Sequence, residues 1–118
     1  MAKILIIDDD PQICRLISRI LSAQGHHVTV TEDGNRGLRH FRAERPALVI
    51  SDILMPEKEG IETILEIRRE APEIPILAIS GDSGVFLDVA TKLGANGALP
   101  KPFRSADLVE MVNRLLAG

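Results

Sequence analysis

The chain has no Trp, no Tyr, three Phe and a single Cys among 118 residues. With so few rings, its core has to be aliphatic, built from Ile, Leu and Val. One cysteine, Cys14, excludes an internal disulfide and fits a reducing compartment. A basic surplus is also missing. Fourteen Lys and Arg against seventeen Asp and Glu give a formal charge of −3, which argues against direct nucleic-acid binding, since that usually needs a basic patch. No apolar run approaches the ~20 residues that cross a bilayer, so no membrane partner is expected. The N-terminus offers Lys3, four apolar residues and then three Asp, too short and too acidic for a signal peptide. A cytoplasmic location is expected. Repeats, linkers and low-complexity segments are lacking, so residues 1–118 read as one domain with length enough for a single core.

What is present is a regular alternation. Ile4-Leu5-Ile6-Ile7 reads as a strand buried on both faces. Pro11 suits the first turn of a helix capped by Asp9 or Asp10, with Ile13, Leu16, Ile17, Ile20 and Leu21 at helical spacing and Gly25 as its stop. Val28–Thr31 is a second strand, and Asp33-Gly34 a turn. Leu38 and Phe41 mark a second helix, ended before Pro46. Gly37 inside it costs about 1 kcal/mol relative to Ala. Ala47-Leu48-Val49-Ile50 is a third strand closing on Ser51-Asp52. Ile61, Ile64, Leu65 and Ile67 carry a third helix. Ile76–Ile79 is a fourth strand closing on Ser80-Gly81. Phe86, Val89, Ala90 and Leu93 share one face of a fourth helix, stopped by Gly94. Ala98-Leu99 is a short strand closing on Lys101, and Pro100 assigns it to a sheet edge. Leu108, Val112, Leu115 and Leu116 form the last helix. Five apolar strands alternating with five helices imply an α/β fold, a doubly wound parallel sheet covered on both faces.

Four strands end in a reactive side chain: Asp8 and Asp9, Asp52, Ser80, and Lys101. Open α/β sheets bind ligands beyond the carboxyl ends of their strands, where the strand order reverses. In the order 2-1-3-4-5, the first and third strands are neighbours there, and Asp8, Asp9 and Asp52 converge. Three carboxylates in one pocket repel one another unless a cation sits among them. All-oxygen donors select a hard ion, Mg²⁺, with Mn²⁺ able to replace it. A carboxylate nucleophile, a metal, a lysine and a hydroxyl suit phosphoryl transfer, in which positioning and electrostatics supply most of the catalysis.

Ile6-Ile7-Asp8-Asp9-Asp10, Asp52-Ile53-Leu54-Met55-Pro56 with Gly60 behind it, Ile79-Ser80-Gly81, Leu93-Gly94-Ala95 and Lys101-Pro102-Phe103 stand in order along essentially the whole chain. Together they make the sequence resemble the receiver domain of two-component response regulators. The resemblance implies a flavodoxin-like (βα)₅ fold and a signalling switch rather than a metabolic enzyme, one that catalyses only its own phosphorylation and dephosphorylation. It implies that Asp52 takes a phosphoryl group from a histidine kinase or a histidine phosphotransfer protein. Asp9 would bind Mg²⁺ directly and Asp8 through water, with Asp52 and the Leu54 backbone carbonyl completing the protein's donors. Lys101 would contact Asp52 and the phosphoryl group, Ser80 would bind a phosphoryl oxygen, and the Lys101-Pro102 peptide would be cis. Phosphorylation would change the surface of the fourth helix, fifth strand and fifth helix, which controls a partner or an attached output domain and serves homodimers.

Three positions depart from the family pattern or bear on its tuning. Ala98 stands where the family often has an aromatic that swings inward, so the switch is expected to run through the Ser80 loop and displacement of the fourth helix. Leu54 and Asp82 occupy positions that tune acyl-phosphate hydrolysis. Plainer readings sit beside these. Asp8-Asp9-Asp10 alone would serve as a helix cap, and Asp10 is expected to be only that or a surface charge. Lys101 or Ser80 alone would be ordinary surface residues. His26 and His27 point to opposite faces of a strand, His40 reads as exposed, and Cys14 reads as a partly exposed neutral thiol. Val85 and Leu87 read as core fringe or partner surface. A flavin-mononucleotide binder on the same fold would need a loop rich in N–H donors after the first strand, where this chain has three Asp. A phosphohydrolase would need a second acid where Leu54 stands. An adaptor that keeps the motifs without being phosphorylated is the remaining alternative.

Overall fold

In the computed structural model, residues 1–53, 59–81 and 84–118 are described, the side chains of 59 and 84–87 excepted. The expected positions 54 and 82 therefore lie outside the described residues, as do the side chains of Val85, Phe86 and Leu87. The elements run β1 (Lys3–Ile7), α1 (Pro11–Ala23), β2 (His27–Thr31), α2 (Gly34–Glu44), β3 (Leu48–Asp52), α3 (Glu59–Glu70), β4 (Ile76–Ser80), α4 (Gly84–Leu93), β5 (Gly97–Pro100) and α5 (Ser105–Ala117). All neighbouring strands are parallel, in the order β2-β1-β3-β4-β5.

The period of two in the strands divides the core into two layers. Leu5, Ile7, Val49, Ile76 and Ala78 pack with Phe41, Ile64 and Ala90 under α2, α3 and α4. Ile4, Ile6, Ile50, Leu77, Ile79 and Leu99 pack with Ile17, Leu21, Leu108 and Val112 under α1 and α5. Burying one such side chain contributes about 1.5–3 kcal/mol, and the absent aromatics are replaced by many aliphatic contacts. Helical spacing overstated the core at three places. Leu16, Leu65 and Val89 are exposed, because each lies at the edge of an apolar stripe wider than the sheet surface it faces.

Asp10, not Asp9, caps α1, its side chain accepting from the Gln12 N–H at 2.9 Å. Asp33 caps α2 through the Arg36 N–H at 2.8 Å. The far end of the sheet is held differently. The Arg68 guanidinium donates to the carbonyls of Ala71, Pro72, Ile74 and Gly94 and to Asn96 Oδ1, at 2.6–3.1 Å. The same Asn96 oxygen accepts from the Ile76 N–H. One cation thus fastens the C-terminal ends of α3 and α4 to the start of β4.

Gly37, which weakens α2 by propensity, has a packing reason. A Cβ there would lie 2.5 Å from Ile7 Cδ1 and 2.8 Å from its Cγ1, and Ile7 is fully buried. The helix lies on β1 only because position 37 has no side chain. Gly37→Ala should therefore destabilise the fold by about 1–3 kcal/mol, despite the better helix former. Combined with Ile7→Ala it should cost clearly less than the sum of the single changes, measured by urea unfolding. Strict additivity would show that the close approach is not what demands glycine.

Candidate functional site

β1 and β3 are adjacent, with Ile7 registered against Ser51, so Asp8 and Asp52 leave the sheet side by side. β4 continues the edge: Asp52 is registered against Ile79, and Ser80 against Pro100. The geometry brings the expected residues to one edge. One carboxylate oxygen each from Asp8, Asp9 and Asp52 lies within 4.8 Å of the others, with Asp8 and Asp52 buried and Asp9 exposed. Ser80 is fully buried at the end of β4. Lys101 reaches in from the end of β5, its Nζ donating to Asp8 Oδ2 at 3.0 Å and to Asp52 Oδ2 at 3.3 Å. The Lys101-Pro102 peptide is cis.

The contact with Asp8 was not anticipated from the sequence, which tied Lys101 to Asp52 and a phosphoryl group. Burial opposes the lysine's charge most strongly, but hydrogen bonding to Asp8 and the charges of Asp52 and Asp8 outweigh it, and the ammonium titrates above its ordinary value. Lys101 is thus a fixed cation between two buried carboxylates, and the third carboxylate leaves the cluster net negative.

The edge is shaped from beneath. Asp8 takes its place because its N–H donates to the Thr31 carbonyl at 3.0 Å, while its side chain accepts from the Asp10 N–H at 2.9 Å. Ile53 N–H donates to the Ile79 carbonyl, and Lys101 N–H to the Ser80 carbonyl at 2.7 Å. Gly60, in the first turn of α3, has no room for a Cβ, which would stand 2.5 Å from the Asp52 carbonyl oxygen and 2.6 Å from Ile53 Cα. The helix start and the Asp52 backbone therefore touch.

Cys14 corrects an expectation. It is buried, 4% exposed, and its Sγ–H donates to the Asp8 carbonyl at 3.2 Å. Burial, joined by the charges of Asp8, Glu32 and Asp10, raises the thiol to about 11, so it is neutral near pH 7 as expected, but as a strut under the site rather than a rim residue. Nothing in the spacing of α1 distinguishes these two placements. The two neighbouring histidines do not converge: His26 Nδ1 accepts from the Ala2 N–H, while His27 begins β2. His40 is exposed, as expected, and lies 3.3 Å from Glu44.

An edge of parallel strands carrying three carboxylates, a lysine and a buried hydroxyl defines a class, and the comparisons place the chain within it. A model described as the response regulator receiver domain matches residues 4–113; the chain belongs to that family. It is 34% identical over 118 residues to the transcriptional regulatory protein CpxR of Klebsiella pneumoniae, covering 98% of this chain and 50% of that protein. With the nitrogen assimilation regulatory protein NtrX of Azorhizobium caulinodans, identity is 36% over 116 residues, 96% of this chain and 26% of the relative. The crystal structure of the receiver domain of NtrX from Brucella abortus superposes with a TM-score of 0.92 at 31% identity, over 97% of this chain and 98% of that one. The chain spans about half the length of curated relatives such as CpxR. No helix among the described residues is long and apolar enough to cross a membrane.

Oxygen donors from several carboxylates are what a hard divalent cation requires. Opposite oxygens around octahedral Mg²⁺ lie about 4.2 Å apart, so three carboxylate oxygens within 4.8 Å of one another are close enough to serve one such ion. Removing Lys101 as Lys101→Met should destabilise the metal-free protein by roughly 1–3 kcal/mol, because Asp8 and Asp52 lose their common partner. Titration with Mg²⁺ should then raise the melting temperature of this variant more than that of the wild type. An equal rise in both would show that the lysine does not neutralise the cluster.

Proposed function

We propose that the chain is a phosphorylation-switched signalling module in which Asp52 accepts a phosphoryl group from the phosphohistidine of a sensor histidine kinase or phosphotransfer protein. The observation that carries this reading is the buried Asp52 carboxylate, held beside Asp8 and Asp9 and hydrogen-bonded by Lys101. An Asp52 carboxylate oxygen attacks phosphorus, the P–N bond to the donor imidazole breaks, and the imidazole nitrogen keeps the electron pair and takes up a proton. Asp9 and Asp52, Asp8 through water, and the Leu54 carbonyl would hold Mg²⁺, which would supply charge neutralisation on the transferred group. Lys101 pairs with one phosphoryl oxygen and gives up part of its bond to Asp52. Ser80 hydroxyl donates to another, which draws the end of β4 and the start of α4 toward Asp52. Control of a partner, or of an output domain such as those of longer relatives, and dimerisation of activated chains through α4, β5 and α5 belong to the same reading. So do a cytoplasmic location and a role for the chain without direct contact to nucleic acid.

Incubation with Mg²⁺ and acetyl phosphate should add the mass of one phosphoryl group, and Asp52→Ala should abolish it. A wild-type chain that gains no mass, or an Asp52→Ala chain that still does, would sink the proposal and leave the unphosphorylated adaptor as the reading.

The route from the site to the surface is constrained by Ala98. Its methyl packs with the core layer under α2, α3 and α4. Phe103 packs in the other layer, under α1 and α5, so it cannot fill the space beside Ala98 without crossing the sheet. This supports a switch that works by moving α4 rather than by inserting the Phe103 ring; the side chain of Phe86, the other ring that could enter the gap, lies outside the described residues. With beryllofluoride as phosphoryl mimic, amide shift changes in Gly84–Leu93 should exceed those in Gly97–Pro100. A large change in the Phe103 ring signals with α4 unmoved would be the contrary result.

A further inference from the structure

β2 ends the sheet. Its His27 N–H donates to the Ala2 carbonyl, and its Thr31 carbonyl accepts from the Asp8 N–H. Alternation along the strand therefore turns the N–H and C=O groups of Val28 and Val30 away from β1. Among the described residues, no backbone group pairs with them. Native edge strands are commonly blunted by lysine, proline or a bulge. This one reads His-Val-Thr-Val-Thr and pairs with β1 residue for residue, without a bulge. Val30 is 39% exposed and borders a groove of about 400 Å³ that runs between β2 and α1.

The charges around this edge run against the net charge of the chain. On one face of the sheet, Arg15 and Arg19 of α1 line the groove. On the other, α2 presents Arg36, Arg39 and His40 around a shallow surface depression, and His40 shares a crevice with Thr29 of β2. Arg36 lies 3.4 Å from Asp33, and His40 has Glu44. Arg15, Arg19 and Arg39 make no ion pair among the described residues. The acid lining the groove is Glu32, one residue past the strand.

We propose that the β2 edge is a docking site for an extended, acidic segment of a partner protein, which adds to the sheet as a sixth strand. Its backbone would bond to the outward groups of Val28 and Val30, an apolar side chain would cover Val30 in the groove, and its carboxylates would meet Arg15 and Arg19 on one face and Arg36 on the other. Strand addition draws affinity from main-chain bonds and selectivity from the flanking side chains. A second copy of this chain is a poor occupant. Two-fold pairing of β2 with β2 sets α1 beside α1 and α2 beside α2, bringing Arg15 and Arg19, and Arg36 and Arg39, against their own like charges. A nucleic acid would meet the arginines but would leave the strand edge unused. The groove adjoins the acidic edge through Cys14, but the proposal uses none of its carboxylates and stands whether or not Asp52 is phosphorylated.

The test uses the ¹⁵N-labelled chain and an end-blocked heptapeptide of alternating Glu and Val. Its binding should shift the amides of β2 and slow hydrogen exchange at Val28 and Val30. The same peptide, N-methylated at the residues that face the strand, should bind about tenfold weaker or less, and a Lys/Val counterpart should not bind. Arg15→Glu combined with Arg19→Glu should weaken binding about tenfold, equivalent to ~1.4 kcal/mol, whereas Arg114→Glu on α5 should not. Equal binding of the N-methylated peptide, absence of binding, or shifts centred elsewhere would overturn the proposal. So would Val28 and Val30 becoming protected as protein concentration rises without peptide, which would mean self-pairing, or a DNA duplex that perturbs the same amides as strongly.

Discussion

Burying Asp8 and Asp52 side by side is the constraint around which the rest of the molecule is arranged. Two like charges about 4 Å apart repel by roughly 4 kcal/mol even at an effective dielectric of 20, and here Asp9 adds a third. The fold spreads this cost over many elements. Parallel strands project the carboxylates from one edge, the Asp10 N–H orients that of Asp8, and Lys101 is brought from the last strand to bond two of them at once. A single ammonium does not cancel three carboxylates. The deficit is what suits the edge to a hard divalent cation.

Close packing couples this edge to the helices beside it. Gly60 lets α3 rest directly on the Asp52 backbone, and Gly37 lets α2 rest on Ile7, the residue just before Asp8. Cys14 braces the Asp8 carbonyl from α1. α1, α2 and α3 thus each touch the edge closely, α3 through backbone and α1 and α2 through one buried side chain. A small displacement at the carboxylates therefore meets tightly packed neighbours.

Much of this was legible in the sequence because it rests on short-range rules. Apolar runs of four or five residues ending in Asp, Ser or Lys fix both the strands and which edge carries chemistry, and the motif order fixes the strand order through the family. What escaped depended on distances that no local pattern encodes. The depth of Cys14, the exposure of Leu16, Leu65 and Val89, and the second partner of Lys101 are settled by how wide each helix–sheet contact is. Gly37 reads as a weakness by helix propensity and turns out to be required by Ile7. Arg68 left no mark beyond a basic residue in the last turn of a helix, because its partners are carbonyls rather than acids.

That last choice of partners divides the molecule into two regimes. Four backbone carbonyls and an amide oxygen hold the Arg68 guanidinium, and neutral dipoles neither take up protons near neutrality nor attract counterions as a carboxylate would. The clamp at the amino edge is thus indifferent to ionic strength, metal supply and mild acid, all of which act directly on the opposite edge. The molecule has one end that reads its surroundings and one end that ignores them, so a change in ions or pH can alter the state of the acidic edge without loosening the opposite one.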